Sequence, residues 1–184
     1  MSIWNSLREA SWAQRVLAVV WTLLPLVVAF TIARLSTPPD AYLSGALVSP
    51  SWAPPGWLFG PMWTVLYLMI GFSGWNFYRS CGMSLCSEKA TPPMLLYALQ
   101  MLLNFSWTPI FFSAGLLGAG GAVIAALWGL ILSCIITFYP VSKLSSLLLL
   151  PYFLWISIAT CLNFSIVCLN QTCFFDGSNS TANN

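Results

Sequence analysis

Five stretches of this sequence, approximately 16–35, 57–78, 93–113, 115–138 and 145–169, run apolar with no ionisable side chain in their interiors. A helix needs about 20 mostly apolar residues to cross about 30 Å of hydrocarbon, and each stretch has that length. Peptide groups in the bilayer core find no water, so each segment must close its own hydrogen bonds. Runs this long and continuous do so as α-helices rather than barrel strands. The sequence predicts an all-α integral membrane protein: a single domain, 1–184, built as a bundle of five transmembrane helices, with a polar tail over 170–184.

The composition leaves no other solvent. Charged residues make up 5% of the chain and hydrophobic ones 59%, against about 25% charged in a soluble domain. A net charge of +2, spread thinly along the chain, excludes nucleic acid as a partner. With no His and no paired CxxC there is no zinc site, and no cofactor is called for. Cys134, Cys161 and Cys168 fall in apolar runs, where a thiol serves as a small hydrophobe. Cys81 and Cys86 share a polar connection and Cys173 lies in the tail, so a loop disulfide is compatible with the sequence without being required.

Turn-forming residues punctuate the spans: STPPDAYLSGALVSPSWAPP, RSCGMSLCSEKATPP, SAGLLGAGG and YPVSK. The first connection is about twenty residues long with Asp40 as its one charge, longer than a crossover needs, and is expected to fold as a lid over one end of the bundle. Arg8, Arg15, Arg79, Lys89 and Lys143 fall on the amino-terminal side and Arg34 on the other, which in a bacterial inner membrane puts the amino terminus on the cytoplasmic side. Residues 1–15 lack the pattern of a cleavable signal peptide, and Trp4, Leu7 and Trp12 suit a short interfacial helix. A bacterial membrane and a mitochondrial outer membrane fit equally. NQT and NST in the tail match the glycosylation pattern.

Pro25, Pro61, Pro109, Pro140 and Pro151 lie within or at the ends of spans, where each frees a backbone carbonyl and bends its helix. The fourth span carries two small-residue stripes: Gly118, Ala122 and Ala126, and beside it Gly121, Ala125, Gly129 and Ser133. Such stripes let backbones approach closely, either inside one bundle or at a homodimer seam.

The spans offer no His, Asp, Glu, Lys or Arg to move a proton or activate a nucleophile, so hydrolase, protease and proton-coupled transport readings fail. An uncharged cavity lined by aromatic rings, amides and hydroxyls remains, and it suits a large, flat, mostly apolar ligand. Trp63, Tyr67, Trp107 and Trp155 lie one or two turns inside their spans, with rings able to stack on such a ligand. Asn104 and Asn163 can anchor its carbonyl or carboxylate edge. Trp63 and Tyr67 share a face at a spacing of four, as Asn104 and Trp107 do at three, while Trp155, Ala159, Leu162 and Asn163 form one stripe. The same rings and amides also suit plain helix packing, and Trp52, Trp57, Trp75 and Tyr78 suit an interfacial belt.

PSWAPPGWLFGPMWTVLY, ALQMLLNFSWTPIFF and LLPYFLWISIATCLNF, in this order on spans two, three and five, resemble the translocator protein or tryptophan-rich sensory protein family, once called the peripheral-type benzodiazepine receptor family. The resemblance runs from Pro25 to about Asn170. It implies a five-helix bundle whose pocket opens toward the long first loop. The implied ligands are porphyrins such as protoporphyrin IX or haem-type tetrapyrroles, sterols, and benzodiazepine-like compounds, and the implied assembly is a homodimer. By position in the motifs, Trp63, Asn104, Trp107, Phe112, Trp155, Ala159 and Leu162 resemble the family's pocket residues. In LNFSIVCLNQ, Phe164 stands where the animal sterol motif has tyrosine, and no basic residue follows. Some bacterial relatives carry tryptophan at that position too, among those said to degrade porphyrin in light. Three readings follow: a receptor or carrier of tetrapyrroles, a light- or oxygen-dependent porphyrin-degrading enzyme, and a structural membrane partner.

Overall fold

The computed structural model describes residues 11–36, 47–84 and 89–179, with side chains through Asn170. Trp4, Leu7, Arg8, Asp40 and Cys86, and with them the middle of the first connection, lie outside the described residues. The elements are α1 (Trp12–Leu35), α2 (Gly56–Ser80), α3 (Thr91–Thr108) continued by a π-helical turn (Pro109–Ser113), α4 (Leu117–Phe138), the short α5 (Lys143–Leu148) and α6 (Leu150–Asn179). Among the described residues, five helical segments are long and apolar enough to cross a membrane, α5 and α6 together making the fifth.

Local chemistry sets the ends. Ser11 caps α1: its Oγ accepts from the Gln14 N–H at 3.3 Å while Gln14 Oε1 accepts from the Ser11 N–H at 3.1 Å. Pro109 has no N–H to donate, and the chain beyond α3 widens, the Ala114 N–H reaching the Pro109 carbonyl at 2.9 Å. Gly115, at φ 65°, then takes the left-handed conformation that turns the chain into α4. Pro151 stands in the first turn of α6, where a missing N–H costs least, and marks the break from α5.

In lipid there is little hydrophobic gain from pairing helices, so close fit and polar contacts hold the bundle. Glycine makes the first contact: a Cβ on Gly71 would stand 2.8 Å from Thr22 Cα and one on Gly74 2.9 Å from Trp21 Nε1, so α1 lies directly against α2, while the Tyr97 ring of α3 closes on Gly74 from the other side at 2.6 Å. Phe77 and Phe138 stack at 3.9 Å between α2 and α4. At the end carrying Arg79 and Lys143, Asn76 donates to Ser142 Oγ and Ser145 Oγ at 2.8 and 2.9 Å, and Ser73 donates to the Ser145 carbonyl at 2.7 Å. These bonds pin α5 to α2. Of the small residues on α4, Gly121 packs inward, where a Cβ would meet Asn163 Oδ1 at 3.2 Å, whereas Gly118 and Gly129 face open space and Ala122, Ala125 and Ala126 are exposed.

Candidate ligand-binding site

The helices pack closely as α1 on α2, α3 on α4 and α4 on α6, while the backbones of α2, α3 and α6 approach one another at few points. Long side chains cross the space between those three. From α2, Trp63 stacks on Tyr67 at 5.1 Å and meets the edge of Tyr152 of α6 at 6.2 Å. Tyr67 Oη donates to Asn104 Oδ1 at 2.6 Å, Asn104 Nδ2 donates to Tyr152 Oη at 2.8 Å, and Tyr152 Oη donates to Gln100 Oε1 at 3.2 Å. Four buried polar side chains thus form one directed relay. It ends at Gln100 Nε2, which has no partner.

Toward the π-turn, Trp107 stacks on Phe111 at 4.8 Å and meets Phe112 edge-on at 5.6 Å. Phe111 and Asn163 converge on Gly120, whose missing Cβ would lie 2.9 Å from the Phe111 ring and 3.6 Å from Asn163 Nδ2. Trp155 is buried with Phe59 edge-on at 5.4 Å. Helical spacing explains the convergence. Gln100, Asn104, Trp107 and Phe111 recur at intervals of four, three and four along α3 and into its π-turn, as Tyr152, Ile156, Ala159 and Asn163 do on α6.

Of the residues singled out by sequence, Trp63, Tyr67, Asn104 and Trp155 are brought together in or against the central core, with Trp107 and Ala159 packed on it. Phe112 joins through Trp107 and Asn163 through Gly120. Leu162 is half-buried and outside that core cluster. Asn104 bonds two tyrosines, one through its oxygen and one through its nitrogen. Tyr152, Gln100, Phe111 and Phe59 belong to the site and were not anticipated, although Gln100 lies four residues before Asn104 and Tyr152 three before Trp155.

Among the described residues, five buried side-chain polar atoms carry no hydrogen bond: Gln100 Nε2, Trp107 Nε1, Trp155 Nε1, and both Nδ2 and Oδ1 of Asn163. Leaving such an atom unpaired costs about 1–3 kcal/mol, and native proteins keep few of them. Four of the five are donors and all belong to uncharged groups, so together they present hydrogen-bond donors to carbonyl or carboxylate oxygens without carrying charge. Partial burial pushes the Cys81 thiol, just beyond the end of α2, up from its ordinary value. A separate groove of about 590 Å³ runs between α1 and α3 along Trp21, Pro25, Tyr97 and Met101, and none of the nine residues singled out by sequence lines it.

A family model described as the TspO/MBR family matches residues 21–169. A tryptophan-rich protein TspO of Chlorobaculum tepidum is 37% identical over 147 residues, covering 80% of this chain and 91% of its own. Protein CrtK of Rhodobacter capsulatus is 37% identical over 125 residues, covering 68% and 76%. The human translocator protein is 33% identical over 149 residues, covering 81% and 87%.

Proposed function

The chain belongs to the TspO/MBR family of membrane proteins, and from that premise we propose that it is a receptor or carrier for porphyrin-type tetrapyrroles, held between α2, α3 and α6. The observation that carries the reading is the set of unpaired donors beside aromatic rings. Trp107 and Trp155 each offer a ring face and an unbonded indole N–H to the same interior. A tetrapyrrole is flat, mostly apolar and edged with oxygen acceptors, so it would stack on the rings and pair with the donors. Sterols share the apolar bulk but have one polar group, and would leave most of these donors unpaired. Membership of a family whose relatives are named translocator protein and tryptophan-rich sensory protein accords with a carrier or a sensor alike.

Titration of protoporphyrin IX into purified protein in detergent, followed by tryptophan fluorescence in darkness, tests the reading. Saturable quenching with a porphyrin spectrum that stays intact under illumination supports a binder. Quenching followed by loss of that spectrum points instead to degradation, for which the Trp63–Tyr67 stack at 5.1 Å provides an oxidisable pair. A homodimer would use the outward small residues of α4, Gly118, Ala122, Ala125 and Ala126, because Gly121 is spent against Asn163.

A further inference from the structure

Arg79, in the last turn of α2, and Lys143, at the start of α5, are drawn together by a buried polar knot. The Arg79 guanidinium donates to Asn76 Oδ1 at 3.4 Å, and Asn76 Nδ2 donates at 2.8 Å to the Oγ of Ser142, the residue before Lys143. Ser145 Oγ donates to the same Ser142 Oγ at 3.0 Å, and Asn76, Ser142 and Ser145 are all buried. The two cations are therefore rooted in one fixed frame.

Among the described residues, no carboxylate meets either charge. All four acidic residues, Glu9, Asp40, Glu88 and Asp176, lie outside the described side chains. Arg79 is half-buried and has the one long bond to Asn76, which leaves most of its donors to spare, while the Lys143 ammonium is exposed with the centre of the Tyr139 ring 5.7 Å away. Toward the bilayer centre from these cations the surface is apolar. Tyr139 and Ile136 are exposed one turn apart on α4, and exposed Leu147, Leu150 and Leu154 follow Lys143 at intervals of four, three and four. A 2.8 Å bond from Ser146 Oγ to the Ile135 carbonyl joins the helices that carry the two rows.

We propose that Arg79 and Lys143 bind the phosphate of an anionic phospholipid in the leaflet on the amino-terminal side, with its acyl chains lying on the apolar rows. The guanidinium fork takes two phosphate oxygens and the ammonium adds a point charge. Charge chooses the headgroup, because the cation of a zwitterionic lipid competes for its own phosphate. The rows choose a lipid over a free phosphate, because a soluble ion gains nothing from Ile136 or Leu150. Basic pockets between membrane helices on the cytoplasmic side recognise anionic headgroups in this way. Binding clasps α2 to the α5–α6 span from outside. The site stands apart from the interior between α2, α3 and α6 and does not depend on what that interior binds.

The test is native mass spectrometry of the full chain in a neutral detergent, titrated with phosphatidylglycerol or with phosphatidylcholine of the same acyl chains. The unaltered protein should bind a first phosphatidylglycerol about tenfold or more tighter than phosphatidylcholine. Arg79→Gln and Lys143→Gln should each weaken phosphatidylglycerol about fivefold and leave phosphatidylcholine unchanged. Lys89→Gln, which removes an exposed cation on the same membrane side, should stay within about twofold. Lys143 is exposed, so its variant carries the test if Arg79→Gln fails to fold. Equal binding of the two lipids overturns the site, as does a preference for phosphatidylglycerol that survives both variants or falls as far in Lys89→Gln. Thermal unfolding with inorganic phosphate separates the two sources of phosphate. Stabilisation by phosphate alone that is lost in Lys143→Gln would make this a free-anion site and overturn the lipid assignment.

Discussion

Tyr67 and Asn104, on different membrane helices and 37 residues apart, are joined by a 2.6 Å hydrogen bond in which the phenol donates to the carboxamide oxygen. The same carboxamide donates to Tyr152, so one side chain ties α2 to α6 through α3. Asn104→Ala would strand the Tyr67 hydroxyl, at about 1–3 kcal/mol for a buried group left without a partner, and would also remove one of the two bonds of Tyr152, which keeps Gln100. Tyr67→Phe would strand one carboxamide oxygen that keeps its neighbour's support. Thermal unfolding in detergent should therefore rank Asn104→Ala well below Tyr67→Phe. Equal melting temperatures for the two would contradict the relay.

Trp107 contributes both a stacked ring and an unbonded N–H to the site. Its loss in Trp107→Ala should weaken protoporphyrin IX binding about tenfold or more, the two contributions together being worth about 1–3 kcal/mol. Trp52, 49% exposed ahead of α2, serves as the control: Trp52→Ala should leave affinity within about twofold. Fluorescence titrations of the two variants against the unaltered chain give the comparison.

Gly118 and Gly121 are three residues apart on α4 yet face different surroundings. Gly121→Leu drives a side chain into Asn163 and should destabilise the monomer by about 1–3 kcal/mol, the usual range for overpacking. Gly118→Leu should leave the melting temperature unchanged, and should weaken any dimer seen by size-exclusion with light scattering. A stable Gly121→Leu monomer would mean that α4 and α6 do not meet at this crossing.

The contrast between those glycines shows what the sequence makes legible. The five spans could be read because lipid demands long uncharged helices, and each span in the structure overlaps the corresponding apolar run. Trp63 and Tyr67 could be paired because a spacing of four fixes a shared face. Which small residue of α4 turns inward depends on the rotation of the whole helix, and only its packing against α6 decides that. Gln100 and Tyr152 had the right spacing relative to Asn104 and Trp155, but nothing local says that two tyrosines from other helices will consume the Asn104 carboxamide. Pro109 announced a bend; the five-residue π-turn that sets Phe111 against Trp107 depends on the surroundings as well.

The most direct test of the ligand reading looks at the indole N–H groups themselves. In a ¹⁵N–¹H spectrum of the protein in detergent, Trp107→Phe and Trp155→Phe assign the two unbonded indoles. Trp128, whose Nε1 already donates to Ser157 Oγ at 2.9 Å, gives an internal reference. On titration with protoporphyrin IX in darkness, the Trp107 and Trp155 indole signals should shift downfield and saturate together while the Trp128 signal stays in place. Saturable porphyrin binding that leaves both signals unmoved would contradict the account and place the ligand elsewhere.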